Sequence, residues 1–181
     1  MSPFYSSYYS CVPKEDLDFL QVLAWHVCPF TRILTKQNKN LRKKIECSSS
    51  WCHLAARVVE KTFPEQKLEV IDGLVYDLFL DEDKNFRLCS TVHSWLLTRN
   101  GTILDVAPVG IQTFSPLLVA KREGVKDQSW GYISDKYVQD LSVKGKVEAL
   151  LRTQKFQQSF PVYLHVFESA RREFFQMKAA A

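Results

Sequence analysis

The stretch VHSWLLTRNGTILD, residues 92–105, places two apolar runs on either side of Asn100-Gly101. An Asn-Gly pair between apolar runs is a strong signal for a β-hairpin, because a tight hairpin turn needs residues that accept positive φ angles. The segments 68–80 and 87–97 before this turn are rich in Val, Leu, Ile, Tyr and Phe, as strands are. The sequence therefore predicts an antiparallel sheet in the middle of the chain.

Helical patterns precede the sheet. Pro13 followed by acidic residues is typical of a helix start, and apolar residues at helical spacing continue to Pro29. A basic segment at 31–45 is also predicted to be helical. The serine run Ser48-Ser49-Ser50 supplies capping oxygens for a further helix, which ends before Pro64. Its predicted apolar stripe consists of Leu54, Ala55, Val58, Val59 and Phe63.

After the hairpin the pattern predicts a short strand near 117–120 and two closing helices, at 135–153 and from Pro161 to Met177. Helices on both sides of an antiparallel sheet define an α+β fold. Residues 1–181 are predicted to form a single domain. Its catalytic core spans 46–110, and its flanking helices lie within 1–45 and 135–178.

Composition narrows the class of protein. The 181 residues are enough to bury a core, and 46% hydrophobic with 24% charged residues is ordinary for a folded protein. The basic cluster from Lys36 to Lys44 has no interleaved aromatic residues, so nucleic acid is not an expected partner.

No apolar run reaches the roughly 18 residues of a membrane span, and the start MSPFYSSYYS lacks a signal-peptide pattern. Five irregularly spaced cysteines fit free thiols, so we expect a cytoplasmic protein without a membrane partner.

Cys52 stands at the predicted helix start, directly after Ser50 and Trp51. The N–H groups and partial positive charge of a helix N-terminus stabilise a thiolate, and the same N–H groups can donate to the oxyanion formed in acyl transfer. Small serines before the cysteine let a substrate approach the backbone. This position therefore suits a nucleophile, and a buried structural cysteine is the alternative interpretation.

His93 and Asp105 lie in the two apolar runs of the hairpin. A histidine on a strand is often a packed core residue. A carboxylate among apolar neighbours, however, is unfavourable unless it has a partner, and the His93 imidazole is the nearest one predicted. This pairing would fix the tautomer that leaves the other ring nitrogen facing a thiol.

The pairing depends on the register of the hairpin. With a two-residue turn at Asn100-Gly101, Asp105 would point to the opposite face of the sheet from His93. With a three-residue loop, Arg99-Asn100-Gly101, Asp105 lies opposite Trp95 and diagonal to His93, on the same face. The hypothesis that Cys52, His93 and Asp105 form a triad therefore predicts the three-residue loop, with Gly101 as the bulge glycine.

Cys52 at a helix start, His93-Ser94-Trp95, the Asn100-Gly101 turn and Asp105 together resemble the core of the transglutaminase-like branch of the papain-fold cysteine enzymes. The resemblance covers about residues 48–110. It implies a papain-like fold in which Cys52 is the nucleophile, His93 the general base and acid, and Asp105 the residue that orients His93.

The resemblance also implies that Trp95 packs beside the site. We predict that Trp51, Ser50 and Trp95 contribute to substrate binding. The glycine and glutamine common before the nucleophile in this family are replaced by Ser49, Ser50 and Trp51, so the sequence indicates no side-chain donor to the oxyanion.

The predicted activity is that of a cysteine hydrolase or acyltransferase, which cleaves a peptide, isopeptide or other amide bond through a thioester acyl-enzyme. Transglutaminase, deamidase or amine acyltransferase activity is one alternative, and a non-catalytic binding domain with the same fold is another. The expected partner is a peptide, a protein, or a small amide or thioester substrate. No cofactor is expected.

Other cysteines and histidines form weaker patterns. Cys47 with Cys52 and His53, or His26 with Cys28, could supply zinc ligands, but neither spacing is a familiar paired-ligand motif, and no metal is expected. Cys47 is the alternative nucleophile, but it precedes the serine run and so is expected to lie outside the helix start. His53 is expected to turn away from Cys52, since adjacent residues on a helix do not face each other.

Overall fold

The computed structural model describes residues 12–28, 51–80, 86–107, 117–119, 130–134 and 141–180. The predicted basic helix at 31–45 and the serine run Ser48-Ser49-Ser50 lie outside these residues. Within the described residues the chain has four α-helices and five antiparallel strands, which confirms the predicted α+β class.

Two of the four helices precede the sheet in the chain and two follow it, in the order that the sequence predicted. Helix α1 spans Lys14–Val22 and continues as a π-helical segment, Leu23–Val27. Helix α2, Trp51–Thr62, is the predicted cysteine helix. Helices α3, Leu141–Leu151, and α4, Gln154–Ala180, close the described chain.

The five strands form one sheet in the order β4-β3-β2-β1-β5. They are β1 Glu69–Leu80, β2 Phe86–Leu97, β3 Ile103–Asp105, β4 Leu117–Val119 and β5 Trp130–Ser134. Every neighbouring pair is antiparallel. The long strands β1 and β2 pair along their whole length, and β3 pairs with β2 at Leu96 and Leu97.

The hairpin between β2 and β3 has the predicted three-residue loop. Leu96 pairs with Leu104 and Leu97 with Ile103, which is the register that the triad hypothesis required. The Thr98 N–H donates to the Thr102 carbonyl at 2.9 Å and closes the loop. Gly101 has a φ of 78°, a backbone conformation that glycine accepts without steric cost.

Helix α2 is the centre of the main hydrophobic core. The predicted apolar stripe is confirmed, since each of its members is at most 1% exposed. Helix α2 packs on β2 and on α4, and Leu96 and Leu104 from the hairpin join the same core. The helix that carries Cys52 is therefore fixed against the strand that carries His93.

Helix α1 contacts the hairpin loop through a buried carboxylate. Asp16 is 6% exposed and accepts hydrogen bonds from Thr98 Oγ1 at 2.9 Å and from Asn100 Nδ2 at 3.0 Å. Arg99 pairs with the neighbouring Glu15. These contacts connect the N-terminal helix to the loop that sets the register of β2 and β3.

Two predictions for the C-terminal half need correction. Helix α4 begins at Gln154 rather than at Pro161, because Thr153 caps it: the Phe156 N–H donates to Thr153 Oγ1 at 3.2 Å. Pro161 therefore lies inside the helix, although proline favours a first turn. Strand β5 was not expected from the sequence, since a five-residue segment containing Gly131 gives little strand signal.

Candidate active site

His93 and Asp105 form a buried pair on neighbouring strands. His93 Nε2 lies 2.7 Å from Asp105 Oδ2, and the two residues are 1% and 0% exposed. The second carboxylate oxygen, Oδ1, accepts a hydrogen bond from the Ala107 N–H at 3.0 Å. Because a carboxylate is an acceptor, Nε2 of His93 carries the donated hydrogen, and Nδ1 is left for the exchange of a proton with a thiol.

Cys52 is the second residue of helix α2 and is partly buried. Burial raises the pKa of its thiol, but hydrogen bonds to His53 and His93, together with the charge of both imidazoles, lower the pKa to about 6. The usual pKa of a cysteine is about 8.5. The thiolate is therefore the main form of Cys52 at neutral pH.

The pKa of His93 moves in the opposite direction. Burial lowers it, whereas hydrogen bonds and charge from Asp105 and Cys52 raise it to about 9, against a usual value of about 6.5. Between these two pKa values a thiolate and an imidazolium coexist. The structure thus brings Cys52, His93 and Asp105 together as an ion pair with a carboxylate behind it.

Two tryptophans adjoin these residues: Trp95 is two residues after His93 on β2, and Trp51 directly precedes Cys52 on α2. Trp95 is fully buried and stacks on His93, with ring centroids 6.3 Å apart and planes inclined by 22°. Trp51 is 7% exposed and packs edge-on against Tyr163 of α4 at 5.1 Å. Trp95 packs against His93, and at 0% exposure it has no surface open to the substrate contact predicted for it. Substrate binding by Trp51 stays a prediction, and Ser50 lies outside the described residues.

His53 does not turn away from Cys52, contrary to the expectation from the sequence. The His53 ring hydrogen-bonds to the Cys52 thiol. Side chains of a helix tilt toward its N-terminus, which allows neighbouring side chains of the first turn to converge. His53 is 4% exposed, and its Nδ1 lies 2.5 Å from Ser94 Oγ on β2. A second histidine therefore belongs to the site.

Ser94 connects His53 to an ion pair. The Ser94 hydroxyl donates to Asp72 Oδ1 on β1, directly opposite in the register of the two strands. Arg57, one turn after His53 on helix α2, donates to Asp72 Oδ2 at 2.7 Å and Oδ1 at 3.2 Å. We call His53, Ser94, Asp72 and Arg57 the second polar network.

The sequence carried a partial signal for this network. His53 and Arg57 are four residues apart on a predicted helix and so share a face. Asp72 and Ser94 are polar residues in apolar strands. Their pairing depends on the register between β1 and β2, which places Asp72 opposite Ser94 and cannot be derived from either strand alone.

Among the residues that the structure describes, His26, Cys28, Cys52 and His53 are not assembled into a metal site. Among the described residues, no group of three or more His, Cys, Asp or Glu side chains has an arrangement that could hold a metal ion. Cys28 is buried in the main core, with 1% of its surface exposed. Cys47 lies outside the described residues. The structure thus gives no support to the zinc alternatives on the residues that it describes.

No family model, curated protein or solved structure matches this chain. Among the described helices, none is both long enough and apolar enough to cross a membrane. The assignment of a function therefore rests on the chemistry of the site itself.

Proposed function

We propose that the protein is a cysteine-dependent hydrolase or acyltransferase with a papain-like, transglutaminase-like core, in which Cys52, His93 and Asp105 form the catalytic triad. The observation that carries this proposal is the buried His93–Asp105 pair, 2.7 Å apart, beside a thiol whose pKa is lowered to about 6. A perturbed pKa with a specific charge partner is typical of a functional site. The order of a helix-start cysteine followed by His and Asp on adjacent strands also supports it.

The proposed reaction has two halves. In the first, the Cys52 thiolate attacks the carbonyl carbon of an amide, a C–S bond forms, and the electron pair of the carbonyl moves to its oxygen. Backbone N–H groups in the first turn of α2 can donate to this oxyanion. The C–N bond then breaks, and His93 gives its proton to the departing amine.

In the second half, water or an amine attacks the thioester. His93, now neutral, takes the proton of the attacking group through Nδ1, while Asp105 holds the ring through Nε2. The C–S bond breaks and the thiolate is restored next to the imidazolium. The substrate class that follows from this chemistry is a peptide, isopeptide or other small amide or thioester.

The acyl-enzyme provides the test. With p-nitrophenyl acetate, we expect a burst of p-nitrophenolate of about one equivalent per chain, and one acetyl group on the Cys52 peptide in mass spectrometry. Cys52→Ala should abolish the burst, and His93→Ala should slow it by on the order of 10²-fold. Cys28→Ala, which removes the buried thiol, is the matched control and should keep the burst. Equal acetylation of Cys28 and Cys52, or no burst, would instead favour a non-catalytic binding domain.

A further inference from the structure

The thiol of Cys52 has an imidazole on each of two separate hydrogen-bond networks. Cys52 and His53 are neighbours on helix α2, and His93 and Ser94 are neighbours on strand β2. His93 is held by Asp105, whereas His53 is held by Ser94 and, through it, by Asp72 and Arg57. Both imidazoles hydrogen-bond to the Cys52 thiol and lower its pKa, so the two networks meet there.

We propose that His53 is a second proton acceptor for the Cys52 thiol, oriented by Ser94, Asp72 and Arg57 independently of the His93–Asp105 pair. This inference rests on the proposed function, since it assigns a further residue to the same site. The four side chains of the second polar network lie outside the triad, and the proposed reaction as described above gives them no role.

The hydrogen bonds fix the tautomer of His53. The Ser94 hydroxyl has one hydrogen, and it donates that hydrogen to Asp72 Oδ1. The contact of 2.5 Å between Ser94 Oγ and His53 Nδ1 is therefore one in which Nδ1–H donates to Oγ. In the neutral ring the other nitrogen, Nε2, is then an acceptor, which is the form that can receive a thiol proton.

Asp72 is held in place for this role. Its carboxylate accepts two hydrogen bonds from the Arg57 guanidinium and one from Ser94. Asp72 Oδ1 also lies 3.9 Å from His53 Nδ1, close enough to stabilise a positive charge on the ring. The side chains of Arg57 and Asp72 are 19% and 22% exposed, so the network reaches the surface at this end and is buried at the thiol.

Charged and titratable groups approach the thiol and His53 from four elements. Helix α2 contributes Arg57, β1 contributes Asp72, and β2 contributes His93 with Asp105 of β3 behind it. Transfer of the thiol proton to His53 breaks the S–H bond and forms an N–H bond, which leaves a thiolate and an imidazolium. The Asp72 carboxylate is the counter-ion of that imidazolium.

Two imidazoles allow a division of roles during the reaction. After His93 has given its proton to the departing amine, its ring is neutral. It then no longer offsets negative charge that develops on the sulfur. With the thiol proton on His53 Nε2, His93 takes its own proton from bulk water, as its pKa of about 9 allows. His53 does not lose its proton when His93 protonates the amine, so Nε2–H donates to the sulfur when the thiolate leaves the thioester. We expect the contribution of His53 to persist in a protein that lacks His93.

The test is the pH dependence of iodoacetamide labelling of Cys52, resolved by peptide mass spectrometry in the wild type, His53→Ala, His93→Ala and the double variant. Each single variant should raise the apparent pKa of Cys52 from about 6 to an intermediate value, and the double variant should raise it to about 8.5 or above. When the pKa of Cys52 rises from about 6 to about 8.5, the thiolate fraction at pH 7 falls roughly 30-fold. His165→Ala, which removes an exposed histidine of α4, is the control and should leave the pKa unchanged.

Ser94→Ala gives a second, independent readout. It should raise the pKa of Cys52 less than His53→Ala does, and it should add nothing in a His53→Ala background, because Ser94 acts through His53. If His53→Ala unfolds the chain, His53→Gln and Ser94→Ala decide the question. An unchanged pKa in the folded His53 and Ser94 variants, with a raised pKa in His93→Ala, would overturn this inference and leave the triad intact. If His93→Ala also leaves the pKa unchanged, the proposed function fails as well.

Discussion

Asp105 uses both of its carboxylate oxygens, one for the His93 ring and one for the Ala107 N–H. An amide in its place has only one acceptor oxygen, so one of the two N–H groups would face another donor. A buried donor without an acceptor costs about 1–3 kcal/mol. The carboxylate at position 105 therefore serves both the ion pair and the turn that follows β3.

The pKa values of Cys52 and His93 define the pH range of activity. The thiolate forms as the pH rises through about 6, and the His93 imidazolium is lost as the pH rises through about 9. Acyl transfer from an amide needs both ions, because the imidazolium protonates the departing amine. The rate of p-nitroaniline release from a p-nitroanilide in single turnovers should therefore be bell-shaped between these limits.

Asp105→Asn should move the alkaline limb of this profile. It removes the charge that raises the pKa of His93, so we expect the upper limb to fall below about 9 and the maximum rate to drop by on the order of 10²-fold. Asp18→Asn, an exposed position on α1, is the matched control and should leave the profile unchanged. An upper limb that stays near its wild-type position would show that Asp105 does not set the pKa of His93.

At the scale of the elements, the hairpin between β2 and β3 decides whether His93 and Asp105 meet. A shift of one residue in the pairing would send Asp105 to the other face of the sheet. Gly101, with its φ of 78°, allows the three-residue loop that prevents this shift. Any other residue there except asparagine or aspartate adopts such a φ only at a cost.

Two glycine substitutions should therefore have opposite effects on stability. Gly101→Ala places a Cβ in a left-handed conformation and should lower the free energy of unfolding by about 1–2 kcal/mol, or the Tm by about 2–8 °C. Gly145→Ala lies on α3, where an added Cβ meets nothing within 4 Å, and should raise the free energy by roughly 0.5–1 kcal/mol. Thermal unfolding followed by circular dichroism gives both values. Two shifts of the same sign would contradict the assigned backbone conformations.

Several elements were predictable because their signals are local. Helix α2 follows from its apolar stripe and Pro64, and the hairpin register follows from Asn100-Gly101 together with the need of Asp105 for a partner. Pro161 misplaced the start of α4, because the capping Thr153 gave a weaker signal than the proline. The second polar network was missed, since it depends on the pairing of β1 with β2 and on the rotation of α2 about its axis.

At the scale of the whole molecule, helix α2 connects the site to the C-terminal helix. Arg171 of α4 donates to the Thr62 carbonyl at 2.7 Å, at the last residue of α2, and pairs with Glu65 at 3.0 Å. Its guanidinium also lies over the Phe63 ring, 5.3 Å from the centroid. Thr62 is ten residues after Cys52, or about 15 Å along a helix.

Arg171→Lys should therefore destabilise the fold without changing the site. Lysine keeps the charge but cannot donate to Thr62 and Glu65 in the same geometry, so we expect a loss of about 1–3 kcal/mol in the free energy of unfolding. The apparent pKa of Cys52 from labelling should stay near its wild-type value, since the change lies at the opposite end of α2. Arg172→Lys, at an exposed position, is the control for thermal unfolding. A shifted thiol pKa would mean that the two ends of the helix are coupled.

The adjacency of Cys52 with His53, and of His93 with Ser94, has a consequence for how the protein acquires its reactivity. In the unfolded chain all five cysteines are ordinary thiols, because nothing distinguishes their surroundings. The Cys52 thiol acquires its lowered pKa only when α2 has docked on β2 in one alignment, since a shift of one residue would separate Cys52 from His93 and His53 from Ser94 together. The reactivity of the Cys52 thiol therefore reports correct folding. A pulse of alkylating agent at successive times during refolding would measure the fraction of chains in which α2 has docked on the sheet.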